Sequence, residues 1–197
     1  LDFGLSNKDV KNDSIIALYT NYAEKSFVKP LKKELDVAFL GQISSYRDNR
    51  KEYIDYLIKN KISGYIETNV RGQQVDHNKY AEVLGSAKIS INFSFSVDKH
   101  QLKGRVFESM HGEALLMETD NPQTAMLFDE GKDYVSFSDK KDMLDKINYY
   151  LSHDKEREKI AKSGRKKVLD LYNSDFFLQK IFNHKDFINE KSSNINS

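Results

Sequence analysis

No cysteine occurs among the 197 residues. That excludes a disulfide framework, a thiolate zinc site, an iron–sulfur cluster and a Cys nucleophile. Tryptophan is also absent, so the aromatic part of the core falls to 12 Phe and 11 Tyr. No stretch approaches the ~18 consecutive apolar residues that a membrane span requires. The opening Leu1-Asp2-Phe3-Gly4-Leu5 lacks the basic-then-apolar layout of a signal peptide. An excess of one charge is missing too: 31 Lys and Arg against 30 Asp and Glu give a formal net charge of +1. Dedicated nucleic-acid binders carry a strong basic excess, so no nucleic-acid partner is expected, although a local basic pocket is compatible with this balance. The chain begins without Met, and the expectation is an excised piece of a longer, soluble, cytoplasmic protein.

What is present is enough for a core, with 39% hydrophobic and 31% charged residues. Residues 1–35 are irregular and read as an N-terminal segment or interdomain linker; Pro30 ends whatever precedes it. From Asp36 the order is clear. Val37–Gly41 is a short apolar run closed by glycine, which predicts a buried strand. Arg47–Lys61 has helical spacing. Gly64–Thr68 reads as a strand, and Asp76 can cap a helix through Ser86. Lys88–Phe95 (KISINFSF) alternates strictly and predicts one strand. Gly104–His111 reads as a helix, Ala114–Met117 as a short strand, and Glu118-Thr119-Asp120 as a polar loop. Asn121-Pro122 can open a further helix. Tyr134–Phe137 is the last strand, followed by helices led by Ser138 or Asp139, then Lys155–Tyr172 and Asp175–Phe187. The segment 189–197 reads as a disordered tail.

Strands alternating with helices imply βαβ units, hence an α/β, Rossmann-like parallel sheet with helices on both faces over 36–188 and a helical C-terminal end. Such sheets bind ligands at the carboxyl ends of their strands. Two loops there carry the right chemistry for an anion. Gly41–Lys51 offers a glycine, Ser44, Ser45 and the cations Arg47 and Arg50 ahead of a helix. Ser96–Glu108 places Lys103, Gly104 and Arg105 at a helix start, with Glu108 one turn inside. A carboxylate among cations suits the paired hydroxyls of a ribose. The plain structural alternative is that Glu108 pairs with Lys103 or Arg105 and holds the turn. His111 shares a face with Glu108, and a packed or surface histidine is the simpler reading. KSGRKK at 162–167 reads as a solvated helix face rather than a membrane-surface patch.

KGRVFESMHGEALLMETDN resembles the donor-binding segment of GT-B glycosyltransferases, in particular the CgeB-like group within the glycosyltransferase 1/4-like families. DVAFLG with its Arg-bearing loop, KISINFSF with its Asn92, and FDEGKDYVSF with the helices that follow resemble the family's flanking text. The resemblance covers roughly 36–182. It implies one half of a two-domain, metal-independent enzyme. This half would bind a nucleoside-diphosphate sugar, the base by family habit uridine or guanosine. A missing N-terminal domain would hold the acceptor. Carried over by position, Glu108 would bind the ribose, and Lys103, Gly104 and Arg105 would lie near the diphosphate. Arg47 or Arg50 would meet it from the first loop. No cofactor or metal is expected.

Two positions depart from the family pattern. A second Glu, eight positions before the ribose Glu, is replaced here by His100, the one weak candidate for a catalytic contact. The glycine that usually aligns with Glu113 comes one residue earlier, as Gly112, so either the helix end is shifted or Glu113 enters the sugar pocket. His100 keeps open the alternative of a non-catalytic nucleotide-binding or interaction module. An oxidoreductase and a P-loop phosphotransferase both fail, since neither G-x-G-x-x-G after a strand nor G-x-x-x-x-G-K-[ST] occurs.

Overall fold

A computed structural model describes residues 28–43, 50–69, 75–96, 99–100 and 102–172. Its elements in chain order are β1 (Leu35–Gln42), α1 (Arg50–Lys59), β2 (Gly64–Asn69), α2 (His77–Ser86) and β3 (Ala87–Asn92). A short hairpin follows, β4 (Phe95–Ser96) with β5 (Lys99–His100), and then α3 (Gly104–His111) and β6 (Leu115–Thr119). The chain continues through α4 (Pro122–Ala125), β7 (Val135–Phe137), α5 (Lys140–Ser152) and α6 (Asp154–Leu171).

The main sheet is parallel throughout, in the order β2-β1-β3-β6-β7. Both of its faces are covered, which is why β1 and β6 carry short apolar runs. Val37 and Phe39 of β1 face one layer, with Ile54 and Leu57 of α1 and Met143 and Ile147 of α5. Ala38 and Leu40 face the other, with Val83 and Leu84 of α2. Further along that second face, Val106, Phe107 and Met110 of α3 meet Leu116 of β6 and Val168 of α6. Caps set three helix starts: Asp76 accepts from Asn78 and Lys79, Asn121 from Gln123, and Asp139 from Lys141 and Asp142.

The strand expected through Phe95 ends at Asn92. Ser90, Asn92 and Ser94 are not solvated, as alternation would imply, but buried and bonded internally, while half-exposed Lys88 pairs with Asp36 at 2.6 Å. Ser90 Oγ lies 2.7 Å from Ser109 Oγ of α3. Beyond the strand, the Ser94 amide donates to Thr119 Oγ1 at 3.0 Å, and the chain turns off into the β4–β5 hairpin. The polar loop expected at Glu118-Thr119-Asp120 is likewise shorter than predicted, because Glu118 and Thr119 are the last two residues of β6 and pair with β3 and β7.

The shifted glycine has a steric cause. A Cβ at Gly112 would sit 2.7 Å from the Leu84 carbonyl oxygen and 3.2 Å from Val28 Cγ1, so α3 can approach the end of α2 only with glycine there. Glu113 then takes the left-handed conformation, φ +54°, at the position where the family resemblance expects glycine. Its side chain meets Arg165 at 3.9 Å, at the end of the sheet opposite the strand carboxyl ends, so it does not reach the crevice at the carboxyl ends. Opposite outcomes follow for the two neighbours. Gly112→Ala should cost about 1–3 kcal/mol through overpacking. Glu113→Gly should relieve ~1 kcal/mol of left-handed strain, partly offset by the freer unfolded chain, and be neutral or mildly stabilising. Urea midpoints of the two variants check this; a tolerated Gly112→Ala contradicts the packing account.

Candidate functional site

Strand order reverses between β1 and β3, which opens a crevice at their carboxyl ends, the general position of ligand sites in open α/β sheets. Gly41 lies at the β1 side of this crevice. A Cβ there would come within 2.9 Å of Phe39 Cζ and 3.2 Å of Arg105 Nη1, so glycine at this position lets the Arg105 guanidinium lie against the end of β1.

Arg105 reaches that place from the first turn of α3. Its guanidinium carbon is 5.7 Å from the centroid of the Tyr80 ring, and its Nε donates to the Tyr80 hydroxyl at 3.4 Å. The Tyr80 hydroxyl in turn donates to Glu108 Oε2. Burial pushes the Tyr80 phenol up to about 12, with Glu108 adding to the shift and Arg105 opposing it. The phenol therefore keeps its proton at neutral pH. Gly104 is exposed, and a side chain there would meet nothing closer than Glu108 Oε1 at 3.7 Å. Lys103 precedes α3 without capping it through its side chain, so the positive end of the helix dipole faces this same region. Lys103, Gly104, Arg105 and Glu108 are thus brought together, joined by Tyr80 of α2, which sequence reasoning did not select. Glu108 is held by Tyr80 and forms no ion pair with Arg105.

Arg50 has a different environment from the one expected for a diphosphate contact. It is buried, and it donates to the carbonyls of Gln42 (3.3 Å) and Phe93 (3.0 Å), with its guanidinium 5.6 Å from the Phe93 ring centroid. It ties the end of β1 to the end of β3. Asn92 is buried too, and its Nδ2 donates to Glu118 Oε1 at 2.7 Å. Arg47 lies outside the described residues, as does the side chain of His100, whose backbone forms β5. His111 is a packed residue: burial, with the nearby charge of Arg165, lowers it to about 4 and keeps it neutral.

Glu118 is the residue that sequence reading missed. It is fully buried, and its second carboxylate oxygen, Oε2, has no hydrogen-bond partner. Burial raises it to about 7, although the side chains of Thr124, Asn92 and Asn121 and the charge of Lys103 pull the other way. Among the described residues no group of three His, Cys, Asp or Glu side chains is placed to hold a metal ion. Among the same residues no helix is long and apolar enough to cross a membrane.

Glu118 and His111 act on stability with opposite signs. The folded chain keeps the Glu118 proton up to about pH 7, while the unfolded chain loses it near 4.5, so its contribution is lost as pH rises through that window. His111 contributes stability that is lost as pH falls from 6.5 toward 4. The two largely offset each other in the wild-type chain between pH 4.5 and 6.5. Glu118→Gln, which keeps an acceptor for Asn92, should expose the His111 slope. Relative to the variant, the wild type should lose stability by up to about 1.4 kcal/mol per pH unit between pH 4.5 and 7. Denaturant titrations at several pH values check this, and parallel profiles for the two proteins contradict it.

The sequence profile of the glycosyl transferase-like family matches residues 23–183. No match is found among curated proteins. Solved structures share the fold at low identity. The C-terminal domain of a glycosyl transferase group 1 family protein, LpcC, from Francisella tularensis superposes with a TM-score of 0.54 at 14% identity, covering 75% of this chain and 89% of that domain. Anabaena HepE in complex with UDP-glucose gives 0.54 at 11% identity, covering 74% of this chain and 38% of that one. An α1,3-fucosyltransferase with GDP-fucose gives 0.52 at 14%, covering 71% and 40%. The chain therefore spans most of an isolated C-terminal domain but well under half of the two larger proteins. It belongs to the glycosyl transferase-like family and has the Rossmann-like fold of the C-terminal half of a GT-B glycosyltransferase.

Proposed function

We propose that this chain is the donor-binding half of a glycosyltransferase, and that it holds a nucleoside-diphosphate sugar at the crevice between β1, β3 and the start of α3. The observation that carries the reading is the assembly of Arg105, Tyr80 and Glu108 beside Gly41, at the point of strand reversal. Glu108 is presented by Tyr80, so its Oε1 remains directed toward Gly104 for a ribose hydroxyl. Lys103, Arg105 and the backbone N–H groups opening α3 supply positive potential for the diphosphate.

In this reading the bond broken joins the anomeric carbon of the sugar to the diphosphate oxygen. The electron pair leaves with the nucleoside diphosphate. The cations and the helix end stabilise the charge that develops there, preorganised and without a metal. A nucleophilic atom of the acceptor, held by a second domain N-terminal to this one, forms the new bond to the anomeric carbon and gives up its proton to the departing diphosphate or to solvent. Two proteins of the same fold were solved with UDP-glucose and GDP-fucose, which supports a diphosphate sugar as the ligand class. Orientation of the two reactants across a cleft supplies the remaining rate enhancement.

Thermal unfolding with UDP, GDP, ADP and their sugar conjugates tests the reading. A ligand at 100 times its Kd contributes ~2.7 kcal/mol. For a domain of this size that raises Tm by roughly 5–10 °C. The expected result is a shift with one diphosphate, abolished in Glu108→Ala, and sugar transfer by the protein once joined to its acceptor domain. An equal shift in wild type and Glu108→Ala contradicts the ribose assignment.

A further inference from the structure

We propose that Tyr80 is a positioning residue that holds Arg105 and Glu108 apart, and that the selectivity of the crevice for a ribose over its deoxygenated analogue depends on it. The proposal rests on the donor-site reading above and adds to it the residue that keeps both charged side chains available to a nucleotide.

Arg105 and Glu108 are three residues apart on α3, so they share one face of the helix. Opposite charges at that spacing ordinarily pair, and each would then use its hydrogen bonds on the other. Instead the Tyr80 hydroxyl stands between them. It accepts from Arg105 Nε at 3.4 Å and donates to Glu108 Oε2. A phenol can do both at once, because its oxygen accepts while its one O–H donates. Burial keeps the proton on that oxygen at neutral pH. The hydroxyl is placed by another element, since Tyr80 lies on α2, 28 residues earlier in the chain. The helices α2 and α3 cover the same face of the sheet. Their spacing is set where Gly112 lies against the Leu84 carbonyl, too close for a Cβ. Tyr80 therefore meets α3 from a fixed platform.

This arrangement leaves each charged group one edge for a ligand. The Arg105 guanidinium lies over the Tyr80 ring at 5.7 Å, and its Nη1 extends to Gly41, 3.2 Å from where a Cβ would stand. Glu108 gives Oε2 to Tyr80, while its Oε1 is the atom nearest the Cβ position of exposed Gly104, at 3.7 Å. Both side chains are only half-buried, so a molecule in the crevice can reach them. A ribose hydroxyl donating to Oε1 makes a charge-assisted hydrogen bond, stronger than one to a neutral acceptor. Without the Tyr80 hydroxyl, Glu108 turns to Arg105 on its own helix, and the ribose loses its acceptor. The hydroxyl thus acts on the nucleotide through Glu108 and does not touch it.

The test is calorimetric titration of the intact chain with UDP and GDP and with their 2′,3′-dideoxy counterparts. The quantity read is the ratio of the dideoxy Kd to the parent Kd. Wild type should favour the parent nucleotide by about tenfold or more. Tyr80→Phe keeps the ring beneath Arg105, and with it the packing, but should lose most of that ratio, as Glu108→Ala does. Adding Tyr80→Phe to Glu108→Ala should leave the ratio where Glu108→Ala alone puts it, because the hydroxyl acts through the carboxylate. A purely structural Tyr80 would weaken parent and dideoxy nucleotides equally. A wild-type ratio in Tyr80→Phe therefore overturns the proposal and leaves the donor site standing. A further fall of the ratio in the double variant overturns action through Glu108. Equal binding of parent and dideoxy nucleotides by wild type overturns the ribose contact and the proposal with it. Failure of every nucleotide to bind overturns the donor reading itself.

Discussion

One buried guanidinium holds the two strand ends that flank the crevice. Arg50 opens α1 and reaches across the point of strand reversal, donating to a carbonyl at the end of β1 and to another just past the end of β3. Parallel strands diverge at such a reversal because their crossovers run to opposite faces, and carbonyls at their ends lose their ladder partners. A planar fork with several donors satisfies two of them at once, which a lysine ammonium on a flexible stem reproduces poorly. Leaving a buried carbonyl without a donor costs about 1–3 kcal/mol. The strand ends beside the crevice are therefore held together by one buried side chain.

A second set of interactions fixes the floor. Small polar residues of β3 and of the segment after it are buried, and each has a specific partner: Ser90 with Ser109, Asn92 with Glu118, Ser94 with Thr119. These bonds lock β3 to α3 and β6 in one register, and so lock the start of α3 relative to the carboxyl end of the sheet. Buried polar networks stabilise only when satisfied. Within this set Oε2 of Glu118 is the atom that has no hydrogen-bond partner. At the opposite end of the sheet, Lys33 donates to the carbonyls of Gly85 (2.8 Å) and Gly112 (2.6 Å), closing the ends of α2 and α3. Burial lowers Lys33 to about 8.

The order of strands and helices was legible because apolar runs, capping residues and spacing agree; Asp76 caps as read, Asn121 caps the helix that Asn121-Pro122 was expected to open, and of the two candidates Ser138 and Asp139 it is Asp139 that caps α5. The grouping of Gly104, Arg105 and Glu108 followed from three-residue and four-residue helical spacing. Three features were hidden for physical reasons. KISINFSF alternates apolar and polar residues, which in a half-exposed strand marks a solvated face, but internal hydrogen bonds allow the polar side to be buried as well. Glu118 follows four apolar residues and precedes Thr119-Asp120-Asn121, a context that reads as a loop; only the pairing of β6 with β3 and β7 shows that the strand carries its acid inside. Tyr80 is one aromatic on a helix face, and its bond to Glu108 joins elements 28 residues apart, a separation that no local pattern encodes.

The central claim is that the crevice between Gly41 and the start of α3 is where a nucleoside diphosphate binds. Hydrogen–deuterium exchange of the chain with and without UDP-glucose or GDP-fucose tests it most directly. The account predicts that protection appears in the backbone amides around Gly41–Ile43 and Lys103–Glu108, and not in the cleft of about 230 Å³ at the other end of the sheet, lined by Leu31, Lys33, Glu113 and Arg157. Protection confined to that opposite cleft would contradict it.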